Sequence, residues 1–196
     1  MEGCFVVVEN LVHAQLMHHR DNPPGSILAG LAGVKLARGA LAGAVAGLAG
    51  AYAMERFQTW WSEAEKRLEP KEGARAHQDE PTTVKAAERI AEDVLETELS
   101  EEAKPTAGRA VHFAMGALSG AIYGGIAELV PFVRSGNGLV FGAVLWWVAD
   151  NEIVPAIGLA EDPESYPPST HAYALASHLV YGFVTETIRT ALRLVL

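Results

Sequence analysis

The sequence predicts an all-α protein, a bundle of four transmembrane helices with an acidic extramembrane helical loop between spans one and two. Composition is the first observation behind this: 49% of the 196 residues are hydrophobic and 19 are glycine, rich for a soluble chain of one domain's length. Charge segregation is the second. The modest mean hydropathy of +0.13 averages over an acidic stretch, 62–102, and three helix-length regions almost free of charge. The third is 138–159, GLVFGAVLWWVADNEIVPAIGL, long and apolar enough to cross a bilayer yet carrying Asp150, Asn151 and Glu152. Carboxylates at that depth cost several kcal/mol unless partners answer them.

Residues 1–26 read as a leader, either disordered or an overextended start with Met17 as the true beginning. Their one apolar run, Cys4 to Val8, is too short for a signal peptide, and a basic start is lacking. After the turn signal at Asn22 to Gly25, the membrane domain occupies 27–196. Lys35 and Arg38 mark the first membrane edge, so span one is expected at about 39–60. Its row Gly39, Gly43, Gly47 and Ala51 places small residues every fourth position, which lets a neighbouring backbone approach closely. Trp60 and Trp61 suit the far interface.

The helix is expected to run on to Pro70, followed by a loose polar link, 71–81. From Thr82, the positions Val84, Ala87, Ala91, Val94 and Leu95 recur at helical spacing, which predicts an amphipathic helix ending near Lys104-Pro105. Because it is acidic, it is expected to cover the bundle end rather than lie on lipid. Span two, about 108–130, carries His112, Gly116, Ser119, Gly120, Tyr123 and Gly124 along one side. A turn over 131–137 leads to span three at 138–159, with the pair Gly138 and Gly142. A loop rich in acid and proline then reaches a Ser169 or Thr170 cap and span four, about 171–194.

Basic residues orient the bundle. Lys35, Arg38, Arg134, Arg189 and Arg193 fall on one side, and the loop between spans three and four has no basic residue, so both termini are expected to face the cytoplasm. The long first loop carries 13 acids against 7 bases, which does not contradict this orientation. A net charge of −9 and the lack of a basic surface exclude nucleic acid as a partner. The single Cys4 excludes an internal disulfide and a cysteine-based zinc site.

With these ends, and about 1.5 Å of rise per residue, Glu55, His112, Glu152 and His178 all fall roughly 6–12 Å inside the outer face. Each span thus offers one ionisable group at similar depth, and Asp150 is the fifth candidate. Asp150 and Glu152 point in nearly opposite directions on a regular helix. Pro155 clashes with the Asn151 carbonyl, so a kink or unwinding is expected there. Three readings of the cluster Glu55, His112, Asp150, Glu152 and His178 stand open: structural hydrogen bonding, a divalent metal held by mixed histidine and carboxylate ligands, and a proton or cation path. Haem is disfavoured, because the glycine rows imply helices packed too closely for a porphyrin. Toward the inner end, Glu186 and Arg189 are expected to pair as an interfacial ion pair near Glu128. His13, His18, His19 and His77 are expected to be solvated.

No nucleophile with its base, phosphate-cradling loop, or flavin or NAD fingerprint is present, so no enzyme activity is expected. Several motifs lie between His112 and Arg193. Ala127 to Pro131 closes span two. Gly138, Gly142-Ala143, Pro155 and Gly158-Leu159 mark span three, and His178-Leu179-Val180, Glu186, Arg189 and Arg193 mark span four. In these the chain resembles the YagU-like family of small bacterial inner-membrane proteins of unknown function. The resemblance implies a four-span inner-membrane protein without established activity. Where a related sequence has histidine this chain has Asp150, and Glu152 is not shared. Two hypotheses follow: a membrane protein that binds or conducts a proton or cation, and an accessory or assembly subunit. The second would use its glycine-rich faces to form a homo-oligomer or dock onto a larger membrane complex.

Overall fold

A computed structural model describes residues 24–68 and 80–195. The leader as far as residue 23 and the link over 69–79, with His13, His18, His19 and His77, lie outside the described residues. Within them the chain is all-helical. Helix α1 is Pro24–Leu68, α2 Thr82–Leu95, α3 Lys104–Leu129, α4 Leu139–Val148 and α5 Pro168–Arg193. A 3-10 segment, Pro131–Gly138, joins α3 to α4. Helix α4 continues through a π-helical turn, Ala149–Ile153, and a last turn, Val154–Ala156.

Among the described residues, three stretches are long and apolar enough to cross a membrane: Ala29–Arg67, Lys104–Leu129 and Pro131–Ala156. Helix α5 equals α3 in length at 26 residues, but it carries Glu186, Arg189 and Arg193. The bundle has two ends. The basal end holds Gly39, the end of α3, the 3-10 segment and Arg193, and the apical end holds Trp61, the start of α3, Leu159 and Pro168.

Small residues set the helix spacing. Each step of four along α1 is matched by a step of four back along α3: a Cβ at Gly39, Gly43 or Gly47 would run into the carbonyl of Gly124, Gly120 or Gly116. The two backbones are therefore in direct contact, which only glycine at these positions permits. Helices α4 and α5 repeat the device, with Gly138 on Gly182 and Gly142 on the His178 carbonyl. Gly138 has a second reason to be glycine, because its φ of 84° turns the 3-10 segment into α4. The core between the pairs is Ala51, Met54 and Tyr181, flanked by Phe113, Phe141 and Leu145. Large side chains such as Leu41, Val45, Leu118, Ile122, Val144 and Trp147 face outward.

Several boundaries differ from the sequence reading. Helix α1 has 45 residues, about 68 Å at helical rise, so the expected span over 39–60 is the packed middle of a much longer helix. Charged Lys35 and Arg38 break no backbone hydrogen bond, and α1 continues through them, exposed over 29–38. Helix α2 stops at Leu95 rather than near Lys104, because Glu96 turns left-handed (φ 52°) and the Thr97 N–H closes back on the Ala91 carbonyl at 3.0 Å. Helix α5 starts at Pro168 without a Ser169 or Thr170 side-chain cap, its first turn needing no N–H from proline. The expected distortion before Pro155 is a π turn, in which the Val154 N–H reaches back to the Ala149 carbonyl.

Candidate functional site

The carboxylates and histidines of the bundle fall into separate groups, and the five-residue cluster expected from depth does not assemble. Among the described residues no three His, Cys, Asp or Glu side chains gather closely enough to hold a metal ion. Glu55 is taken by Arg109, whose Nε lies 2.9 Å from Oε1 and whose Nη2 donates to Oε2 at 3.2 Å. His112 donates from Nε2 to the Ala51 carbonyl at 3.1 Å and sets its ring edge-on to Phe113. Both pairings extend the register of the glycine rows by one and two turns, so the chain's own backbone and Arg109 answer the two groups. Glu152 is exposed on the π turn, two residues beyond the inward Asp150, as the helical angle between them requires.

Asp150 and His178 do meet. The Asp150 Oδ2 lies 3.6 Å from His178 Nδ1, and that nitrogen also donates to the Ala174 carbonyl at 3.0 Å. One N–H thus serves two acceptors, and its distance to the carboxylate exceeds that of a made hydrogen bond. Around this pair, Asn151 Nδ2 donates to the Trp146 carbonyl at 3.3 Å, and His171 Nε2 to the Pro163 carbonyl at 3.0 Å. The Trp146 ring stands edge-on to His171 with centroids 6.2 Å apart. The buried Trp146 Nε1 has no hydrogen-bond partner. Helix α4 positions Asp150 because the π turn adds a residue to its coil and rotates the carboxylate toward α5.

At the basal end the structure holds a charge network far more buried than the interfacial pair expected from sequence. Arg189 is 2% exposed and Glu186 4%. Arg189 grips Glu186 with two parallel bonds, Nε to Oε2 at 2.7 Å and Nη2 to Oε1 at 2.9 Å. Tyr123 Oη donates to Oε2 at 2.8 Å and Thr190 Oγ1 to Oε1 at 3.0 Å. Glu128 receives Arg193 Nε at 2.7 Å and Nη2 at 3.1 Å, and Arg189 Nη1 at 3.4 Å. Tyr123 also stacks on Phe141 with centroids 4.0 Å apart, which joins α4 to the network. Glu186 has its roughly four acceptor positions filled, so this group locks helices together and has no valence left for a ligand.

The partnerships of Arg109 and Tyr123 are absent from the sequence expectations, yet both have a signal there: Arg109 faces Glu55 once the glycine rows are laid antiparallel, and Tyr123 lies one residue before Gly124 on the small-residue side of α3. No curated protein and no solved structure matches the chain. One family model does match, over residues 62–187, from the end of α1 through Thr187. The chain therefore belongs to the family described as protein of unknown function (DUF1440).

Proposed function

We propose that this is a non-enzymatic four-span protein of the bacterial inner membrane, of the YagU-like kind, in which Asp150 and His178 exchange a proton within the bilayer. The observation that carries the reading is the single shared N–H between His178, the Ala174 carbonyl and Asp150. A half-buried carboxylate so loosely answered between two helices is the type of group that takes up and releases protons, whereas a saturated pair such as Glu186 and Arg189 does not. The apical position of the pair, beside the π turn, supports access from the outer side.

The test is proton flux in proteoliposomes loaded with a pH-sensitive dye, driven by a potassium diffusion potential. Wild-type protein is expected to acidify the lumen faster than protein-free vesicles. Asp150→Asn and His178→Gln should abolish the difference, and Glu152→Gln should preserve it. Wild-type vesicles no leakier than empty ones would overturn the reading.

A second reading, an accessory or assembly subunit, draws support from Gly30 and Gly33, which have open space around them on the exposed start of α1. The other glycine rows are spent within the monomer. Oligomeric mass in detergent, compared between wild type and Gly30→Leu, Gly33→Leu, separates this reading from a monomeric one.

A further inference from the structure

We propose that the basal rim of the bundle binds anionic phospholipid headgroups through Lys35, Arg38 and Arg134. The first argument is charge. Glu186 and Glu128, the acids of this end among the described residues, are taken up by Arg189 and Arg193. Lys35, Arg38 and Arg134 are exposed and have no carboxylate partner among the described residues, which leaves three uncompensated cations.

The second argument is placement. Lys35 sits one turn before Gly39 on the same face of α1, and a Cβ at Gly39 would touch the Glu128 side chain. Leu36 approaches Gly125 of α3. Lys35 and Arg38 therefore emerge where α3 ends. Arg134 follows in the next segment, where its Nε donates to the Pro131 carbonyl at 3.4 Å.

The third argument is the apolar shelf beside these cations. Phe132 is 78% exposed, and Val34, Val130 and Leu139, which neighbour these cations in sequence or close the same end of the bundle, are exposed as well. A phosphodiester with attached acyl chains fits both halves of such a rim, since cations at a helix end attract the negative charge and the shelf takes the chain. A zwitterionic lipid brings an ammonium group that opposes the match. This inference rests on the membrane-spanning part of the proposed function and is independent of proton exchange.

The experiment is native mass spectrometry of the detergent-purified protein mixed with equal amounts of phosphatidylglycerol and phosphatidylcholine. Wild type is expected to retain phosphatidylglycerol adducts in preference. The triple variant Lys35→Gln, Arg38→Gln, Arg134→Gln should lose the preference, and the single variant Arg134→Gln, which is the reserve if the triple does not fold, should weaken it. A control with the same change of charge at the apical end, Arg56→Gln, Lys66→Gln, Arg67→Gln, should keep it. Equal retention of the two lipids by wild type, an unaltered preference in both basal variants, or its displacement by inorganic phosphate alone would overturn the proposal.

Discussion

Glu186 and Arg189 form a closed unit at the level of single side chains. The guanidinium fork matches the carboxylate edge, and Tyr123 and Thr190 fill what remains. Removing one member of such a unit leaves the other charge buried and unanswered, a loss of about 3–5 kcal/mol, whereas replacing both with apolar residues of similar size is often close to neutral. Arg189→Met is therefore expected to destabilise the bundle by that order. The pair Glu186→Leu, Arg189→Met should recover most of the loss, although Tyr123 then needs a new acceptor. Denaturant unfolding in mixed micelles, followed by circular dichroism, measures both. A double variant as unstable as the single would show that the ion pair contributes net stability beyond mutual compensation. Asp150 differs at the same scale because no arginine among the described residues reaches it.

Helix α2 shows how one element is held to the rest. Val84, Ala87 and Ala91 are buried, and Val84 packs against Gly108 at the start of α3. Arg89 donates to the Ile157 carbonyl, tying α2 to the end of the α4 stack. Lys104 reaches Glu88 at 2.7 Å, and this hydrogen bond is the main cause that holds the Glu88 carboxyl below its ordinary value. A group whose folded value is depressed contributes stability above its unfolded value, and the contribution is lost as pH falls through the folded one. Amides of Thr82–Leu95 are thus expected to lose hydrogen-exchange protection relative to α3 on acidification below the ordinary carboxylate range, and Lys104→Met should remove much of that dependence. A protection ratio flat with pH would refute it. Elements of this kind were partly legible in the sequence. The glycine rows could be read because close approach repeats with the helix period, and the distortion before Pro155 because proline removes a backbone bond wherever it sits. The stop at Glu96 could not be read, since a left-handed glutamate has no compositional signal. The sharing of depth by Glu55, His112, Glu152 and His178 misled, because depth places groups along the bundle axis but leaves their angle about each helix unspecified.

For the whole molecule, the packing of α5 predicts that it crosses the membrane with the three apolar helices. Its 26 residues reach about 39 Å, enough for a hydrocarbon core of about 30 Å. Its charged residues argue against a lipid environment only if they face lipid, and Glu186 and Arg189 face inward and are saturated, while Phe183 points out. Against α1 it lays Tyr181 at Gly50 and Tyr173 at Trp61, so it runs the length of the bundle antiparallel to α1. A helix fully paired with two others in this way is expected to span with them. Arg134 and both termini are then expected on the cytoplasmic side and 161–167 on the outer side. Single cysteines introduced in a Cys4→Ser background at Ser135, Glu164 and Val195 test this with a membrane-impermeant thiol reagent on intact cells. Labelling is expected at residue 164 only, with the other two positions reacting after permeabilisation. Labelling at 195 in intact cells would place the C-terminus outside, reduce the spans to three and leave the Glu186 network to be held by a helix that does not cross.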